Sequence, residues 1–240
     1  RYCAPRPVCP PRYGYGYGYG YGQKAPTVAS TAKAVTRAAR VRKRASEGDV
    51  QIELLPHLRP RLAVAEAYRN LRTALLLSSA RQLKVIVVTS AVPSEGKTST
   101  AGNLAVVLAQ LGKKVLLVDG DLRKPRQHEV FHATNKVGLV SFLTHTTEAD
   151  KIVFRCDIEN LYLTPSGPIP PNPSELLSSE RMGEFLKFVR SQFDIVIIDS
   201  APTLAVTDGI LIGAQSDGVV LCLRAGYVQK RDAKTCRDRL

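Results

Sequence analysis

Apolar positions along the chain follow two regimes. From about residue 60 onward, short apolar runs alternate with longer stretches in which apolar residues recur every three or four positions. The runs are Lys84–Thr89, Val115–Val118, Leu161–Thr164, Ile195–Ile198 and Gly218–Leu223. They are short and rich in β-branched residues and leucine, which predicts strands. Helices are expected over 62–79, over Lys97–Leu111 with Gly112 as a suitable C-terminal residue, over about 174–191, and from about Ala205. A further helix should follow the Val219–Leu223 strand. Strands without a polar face must be covered on both sides, as in a parallel sheet. The fold expected is therefore α/β, a doubly wound, mostly parallel sheet.

Residues 1–48 carry no such pattern. They are Pro-rich at first, then alternate Tyr and Gly from Tyr13 to Gly22, then turn basic at Arg37, Arg40, Arg42, Lys43 and Arg44. Glycine between tyrosines maximises the entropy lost on ordering and cannot build a core. A disordered arm over 1–48 is expected ahead of a domain over 49–240. Tyr13, Tyr15, Tyr17, Tyr19 and Tyr21 would then be exposed and open to modification.

Charge is concentrated in the same region. Residues 1–60 hold 11 Lys/Arg against 3 Asp/Glu, so +8 of the formal +13 lies there rather than in the expected core. Such an arm fits a solvated linker, attraction to anionic lipid, or nucleic acid. Because only the arm supports the last of these, nucleic-acid binding is not expected. The 44% hydrophobic and 23% charged composition is that of an ordinary globular protein. No apolar run reaches the roughly 18 residues of a membrane span, and no signal-peptide pattern opens the chain. A cytoplasmic location follows as an expectation. Cys3, Cys9, Cys156, Cys222 and Cys236 show no CxxC or Cys/His spacing, so neither a disulfide framework nor structural zinc is expected.

Three motifs carry chemistry. Val85 to Thr98 reads as a strand, a loop ending Gly96-Lys97-Thr98, and a helix, which is the P-loop arrangement. Phosphates need backbone N–H groups converging from one side, and a helix N-terminus supplies them with its positive dipole end. Ser94, Glu95, Gly96, Lys97, Thr98 and Ser99 are the nucleotide-binding candidates. Lys97 would sit near the β- and γ-phosphates, and the Thr98 hydroxyl would ligate Mg²⁺. The loop's first position is Ala91 rather than the usual Gly. The second motif, Val115 to Arg123, ends a buried strand in Asp119-Gly120-Asp121, where parallel sheets bind ligands. A cation beside a triphosphate would relieve the cost of burying two carboxylates. The third is Asp194 to Pro202, an apolar strand ending in Asp199 that suits a Walker B magnesium ligand.

In this order the P-loop, the DxDxR element and the run ending DxxP resemble the bacterial tyrosine autokinases (BY-kinases). The related partition and septum-site ATPases usually carry an extra lysine at the start of the P-loop, which Ser90-Ala91-Val92-Pro93 lacks. Glu66, Arg69 and Arg72 fit the family's ExxRxxR motif. Three residues apart, they share one helix face, where the resemblance implies contact with a neighbouring subunit. The segment from Gly167 to Leu177 also resembles a family stretch, with Ser174 as the expected N-cap. The resemblance covers roughly residues 50–240. It implies a P-loop fold of the deviant-Walker group and protein-tyrosine kinase activity with MgATP. Asp119 would be the base toward tyrosine, and Asp121 and Asp199 would hold Mg²⁺ with Thr98. Lys97 would stabilise the transferring phosphoryl group, with Arg123 assisting. It also implies self-association with phosphorylation between copies, and a membrane-bound activator in exopolysaccharide synthesis or export. Tethering at the inner face of the plasma membrane would follow.

The chain departs from the family at its ends. A C-terminal tyrosine cluster is usual, whereas this sequence ends at Leu240 and begins at Arg1, so truncation at both ends is expected. The Tyr-Gly run resembles such a tail in composition but lies at the other end. It fits a displaced phosphoacceptor, a linker, or the end of a preceding reading frame. Two alternatives to an autokinase stand: a regulatory ATPase acting as a dimerisation switch, and a nucleotide-binding scaffold without catalysis. The presence of Lys97, Thr98, Asp119, Asp121 and Asp199 speaks against the scaffold.

Overall fold

The computed structural model describes residues 52–78 and 83–240. The arm over 1–48, its five Tyr-Gly tyrosines and its basic cluster lie outside the described residues, as does residue 79 of the first expected helix.

A 3-10 turn at Ile52–Leu54 runs into α1 (Leu55–Leu58) and then α2 (Ala63–Leu77). Strand β1 (Val85–Ser90) leads through a loop into α3 (Lys97–Ala109), followed by β2 (Val115–Asp119). Four short pieces come next: α4 (Gln127–Val130), α5 (Leu139–Leu143), a 3-10 turn at Ala149–Ile152 and β3 (Phe154–Arg155). Then follow β4 (Leu161–Thr164), α6 (Pro173–Leu177), α7 (Glu180–Gln192) and β5 (Ile195–Asp199). The chain closes with α8 (Asp208–Gly213), β6 (Gly218–Cys222) and α9 (Lys230–Arg239).

Among the described residues the strands form one sheet in the order β3-β4-β2-β5-β1-β6. All neighbours are parallel except β3, which pairs antiparallel with β4. Successive strand residues point to opposite faces, and here both faces are apolar. Val85, Val87, Leu116, Val118, Val196 and Ile198 pack with Phe185, Leu186 and Val189 of α7 and Ile212 of α8. Ile86, Val88, Val115, Leu117, Ile195 and Ile197 pack with Leu104, Val107 and Leu108 of α3. The doubly wound expectation holds for that reason.

Several expected elements are corrected. The single helix over 174–191 is two, α6 and α7, because Ser179 is extended and its hydroxyl accepts from Met182 N–H to cap a fresh start. Asn172 takes the N-cap position before Pro173, so Ser174 is not the cap. Its hydroxyl donates instead to Asp208 Oδ1 at 2.7 Å. Helix α8 begins at Asp208 rather than near Ala205, and α3 ends at Ala109, with Gly112 beyond it at φ +78°.

Candidate functional site

Strand β5 lies between β1 and β2, with Val88 of β1 and Asp119 of β2 both in register with Asp199. The C-terminal ends of three neighbouring strands thus converge where parallel sheets place their ligands. One end carries the loop to α3, and the other two end in the carboxylates Asp119 and Asp199.

The loop turns on two left-handed residues, Ser94 at φ +65° and Gly96 at φ +84°. A Cβ at Gly96 would meet nothing within 4 Å, so the backbone angle rather than crowding is what favours glycine there. This conformation starts α3 directly at Lys97 and leaves its first amides unpaired within the helix. Lys97 Nζ lies 3.5 Å from Asp121 Oδ2.

Glu95, expected among the nucleotide-binding residues, turns its carboxylate elsewhere. Its Oε2 accepts from Val92 N–H at 2.8 Å and its Oε1 from Arg224 N–H at 3.0 Å. A carboxylate would repel phosphate, and here it braces the loop against the segment after β6. The Ser99 hydroxyl likewise donates to Glu53 Oε1 at 3.3 Å.

The carboxylates are unequal. Asp119 Oδ2 accepts from the amides of Arg126 and Gln127 at 3.0 and 2.9 Å. Asp199 Oδ2 accepts from Gln127 Nε2 at 3.0 Å. Oδ1 of each is buried with no hydrogen-bond partner. Burial, followed by the neighbouring Asp199 charge, holds the Asp119 pKa well above the usual carboxylate range despite its two amide donors. Burial likewise raises Asp199 to about 6, against the opposing pull of Lys97, the Thr98 hydroxyl and Gln127. Asp121 Oδ1 is used inside its own turn, accepting from the amides of Arg123 and Lys124.

Two buried carboxylate oxygens without partners are expensive unless a cation meets them. Among the described residues no group of three or more His, Cys, Asp or Glu is arranged to hold a metal by itself. Magnesium does not need one, since it binds one or two carboxylates together with phosphate and water oxygens. Thr98, Asp121 and Asp199 offer oxygen donors only, so the residues present fit that ion.

Arg123, expected to assist at the transferring phosphoryl group, pairs here with a buried carboxylate. Its Nε and Nη2 donate to the two oxygens of Asp208 at 2.8 and 3.1 Å, and Nη2 also donates to Ser174 Oγ at 3.0 Å. Asp208 is fully buried and needs a cation, which Arg123 supplies in this clasp. The face expected to hold Glu66, Arg69 and Arg72 together is also divided. Arg69 bonds to Glu66 at 2.6 Å and to Pro60 O at 2.7 Å near the surface. Arg72 Nη1 turns back to Val107 O at 2.8 Å, near the end of α3.

Sequence patterns did not mark Gln127, Asp208 or Glu53. The only usable signals were an Asp at the head of the expected helix near 205 and a polar residue six positions after Asp121.

A protein-family model described as an AAA domain matches residues 83–231. The chain is 43% identical over 192 residues to the tyrosine-protein kinase YwqD of Bacillus subtilis (strain 168), covering 80% of this chain and 81% of that one. It is 38% identical to the tyrosine-protein kinase wzc of Salmonella typhimurium, covering 79% of this chain but only 26% of that longer protein. Among solved structures, the kinase domain of Escherichia coli tyrosine kinase ETK superposes with a TM-score of 0.75 at 31% identity, covering 83% of this chain and 79% of that one. The septum site-determining protein MinD of Pyrococcus horikoshii, complexed with Mg-ADP, gives a TM-score of 0.51 at 23% identity over 58% of this chain and 57% of that one, a likeness of fold alone.

Proposed function

Since this chain belongs to the bacterial tyrosine-protein kinases, we propose that it transfers the γ-phosphoryl group of MgATP to tyrosine. The observation that carries this reading is the pair of unpartnered buried oxygens on Asp119 and Asp199, at neighbouring strand ends beside the Gly96-Lys97 loop.

The amides opening α3 and the Lys97 ammonium receive the phosphates. Thr98, Asp121 and Asp199 hold Mg²⁺, which when bound supplies positive charge against the phosphate oxygens. Asp119 accepts the phenolic proton as the tyrosine oxygen bonds to the γ-phosphorus and the bond to the ADP oxygen breaks. The phenol has a pKa of about 10, so a carboxylate within reach is useful because it takes the proton as the new bond forms. Positioning and electrostatics then do most of the catalysis, as is general for phosphoryl transfer.

The acceptors we propose are Tyr13, Tyr15, Tyr17, Tyr19 and Tyr21 of the arm over 1–48, entering the site of another copy. Glu66 and Arg69 on α2 are the proposed contacts between copies. No helix of the described residues is long and apolar enough to cross a membrane. We place the protein at the inner face of the plasma membrane through a membrane-bound activator, in exopolysaccharide synthesis or export. No nucleic-acid partner enters this reading.

The test is incubation with MgATP beside Lys97→Met and Asp119→Asn, with phosphotyrosine mapped by mass spectrometry. Phosphate on tyrosine in the unaltered chain, lost in both variants, is the expected outcome. Phosphate release with no tyrosine modified, even on an added tyrosine-rich peptide, would replace the kinase with the dimerisation-switch ATPase.

A further inference from the structure

We infer that Gln127 is a positioning residue for the metal–nucleotide complex, setting which oxygen of Asp199 faces the bound ion. The inference rests on the nucleotide-binding reading above.

Gln127 opens α4 and is fully buried. Its Nε2 donates to Asp199 Oδ2 at 3.0 Å and to Thr98 O at 3.1 Å. Its backbone N–H donates to Asp119 Oδ2 at 2.9 Å. One residue therefore joins the first turn of α3, the end of β5 and the end of β2. Both carboxylates have an oxygen occupied by Gln127, and in both it is the other oxygen that is buried and unpartnered. A carboxylate held by one oxygen cannot rotate freely, so the free oxygen is presented in a fixed direction before any ligand arrives. Hydrogen bonds behind a metal-binding carboxylate act in this way, orienting it and raising affinity. The bond to Thr98 O also fixes the spacing between the proposed hydroxyl ligand and Asp199.

A merely structural role fits Gln127 less well. Its Oε1 is itself buried without a partner, lying 3.7 Å from where a Cβ on Gly102 of α3 would sit. An amide kept only for packing would be better replaced by an apolar side chain of the same length, since the orphaned acceptor carries a desolvation cost. What the amide adds over such a side chain is the pair of donated bonds to Thr98 and Asp199.

Gln127→Met keeps the length and removes the donors. Calorimetric titration of the full chain with MgADP, and separately with ADP in excess EDTA, reads the difference. The expected result is about tenfold weaker MgADP binding, with ADP in EDTA changed less than twofold, in line with the range for supporting hydrogen bonds. An equal loss in both titrations would overturn the inference in favour of a general structural role, as would no loss in either. Should Gln127→Met fail to fold, Gln127→Asn, which retracts the same amide by one methylene, gives the same two readings. If the unaltered chain binds ADP equally with and without Mg²⁺, the metal–nucleotide reading itself falls. That outcome differs from one in which the unaltered chain prefers MgADP and the variant matches it, which overturns the inference alone.

Discussion

Asp208 and Arg123 form a pair whose two members are not equivalent. Asp208 is completely buried, whereas the Arg123 side chain is 39% exposed. Removing the arginine strands a carboxylate inside the protein; removing the aspartate returns a guanidinium to water. Arg123→Ala is therefore expected to cost about 3 kcal/mol, and Asp208→Ala clearly less. The double variant should lose less than the sum of the two, because the pair acts as a unit. Urea melts of the three variants check this, and equal, additive costs would contradict the clasp. Ser174, which donates to Asp208, belongs to the same clasp, which joins the turn after Asp121 to α6 and α8. Its serine character was visible in the sequence, but its partner 34 residues away was not.

At the level of elements, Asp217 fastens the start of the sheet. Its Oδ2 accepts from Lys84 N–H at 2.9 Å, Val85 N–H at 2.7 Å and Arg190 Nη1 at 2.7 Å, linking β1 and the last turn of α7 to the residue before β6. Burial alone would raise its pKa, but Arg190 and the two amides outweigh it and hold the group below the usual carboxylate value. A depressed folded-state pKa contributes stability that is present above the unfolded pKa, near 3.9. That contribution disappears as pH falls through the folded value. Asp217→Asn should thus lower stability by about 2 kcal/mol at pH 7, the range for hydrogen bonds to a charged group. The gap from the unaltered chain should close as the acid range below about pH 4 is entered. Denaturant midpoints measured from pH 7 to pH 3 would show it, and a gap constant with pH would refute it.

For the whole molecule, the position at which the folded domain begins can be tested by truncation. We propose that residues 1–48 contribute no core and that the domain includes the segment just after them. Leu54 is buried against α3, Leu55 beside it is also buried, and Ile52 O accepts from the buried Asn103 Nδ2 at 2.7 Å. Deleting residues 1–48 should leave the melting temperature within about 2 °C, since surface changes usually fall within about 0.5 kcal/mol. Deleting 1–58 removes two buried leucines and a buried bond, at a cost of about 3 kcal/mol or more. The melting temperature should then fall by about 6 °C or more. Scanning calorimetry of both truncations reads the difference, and equal melting temperatures would place the start of the domain later in the chain.

The sequence by itself determined the alternation of strands and helices, the parallel character of the sheet, and the Gly96-Lys97-Thr98 loop with its strand before and helix after. These follow from local preferences that a run of neighbouring residues expresses wherever it lies. Only the tertiary structure decided the insertion of β5 between β1 and β2, which brings Asp119 and Asp199 into register. The short pieces α1, α4, α5 and β3 are below the length at which local propensity can hold them, so their neighbours decide them. It also turned Glu95 toward an amide 129 residues away and Gln127 toward Asp199 72 residues away. Buried polar groups must find partners, and which partners are within reach is set by how distant segments pack, which no local pattern encodes.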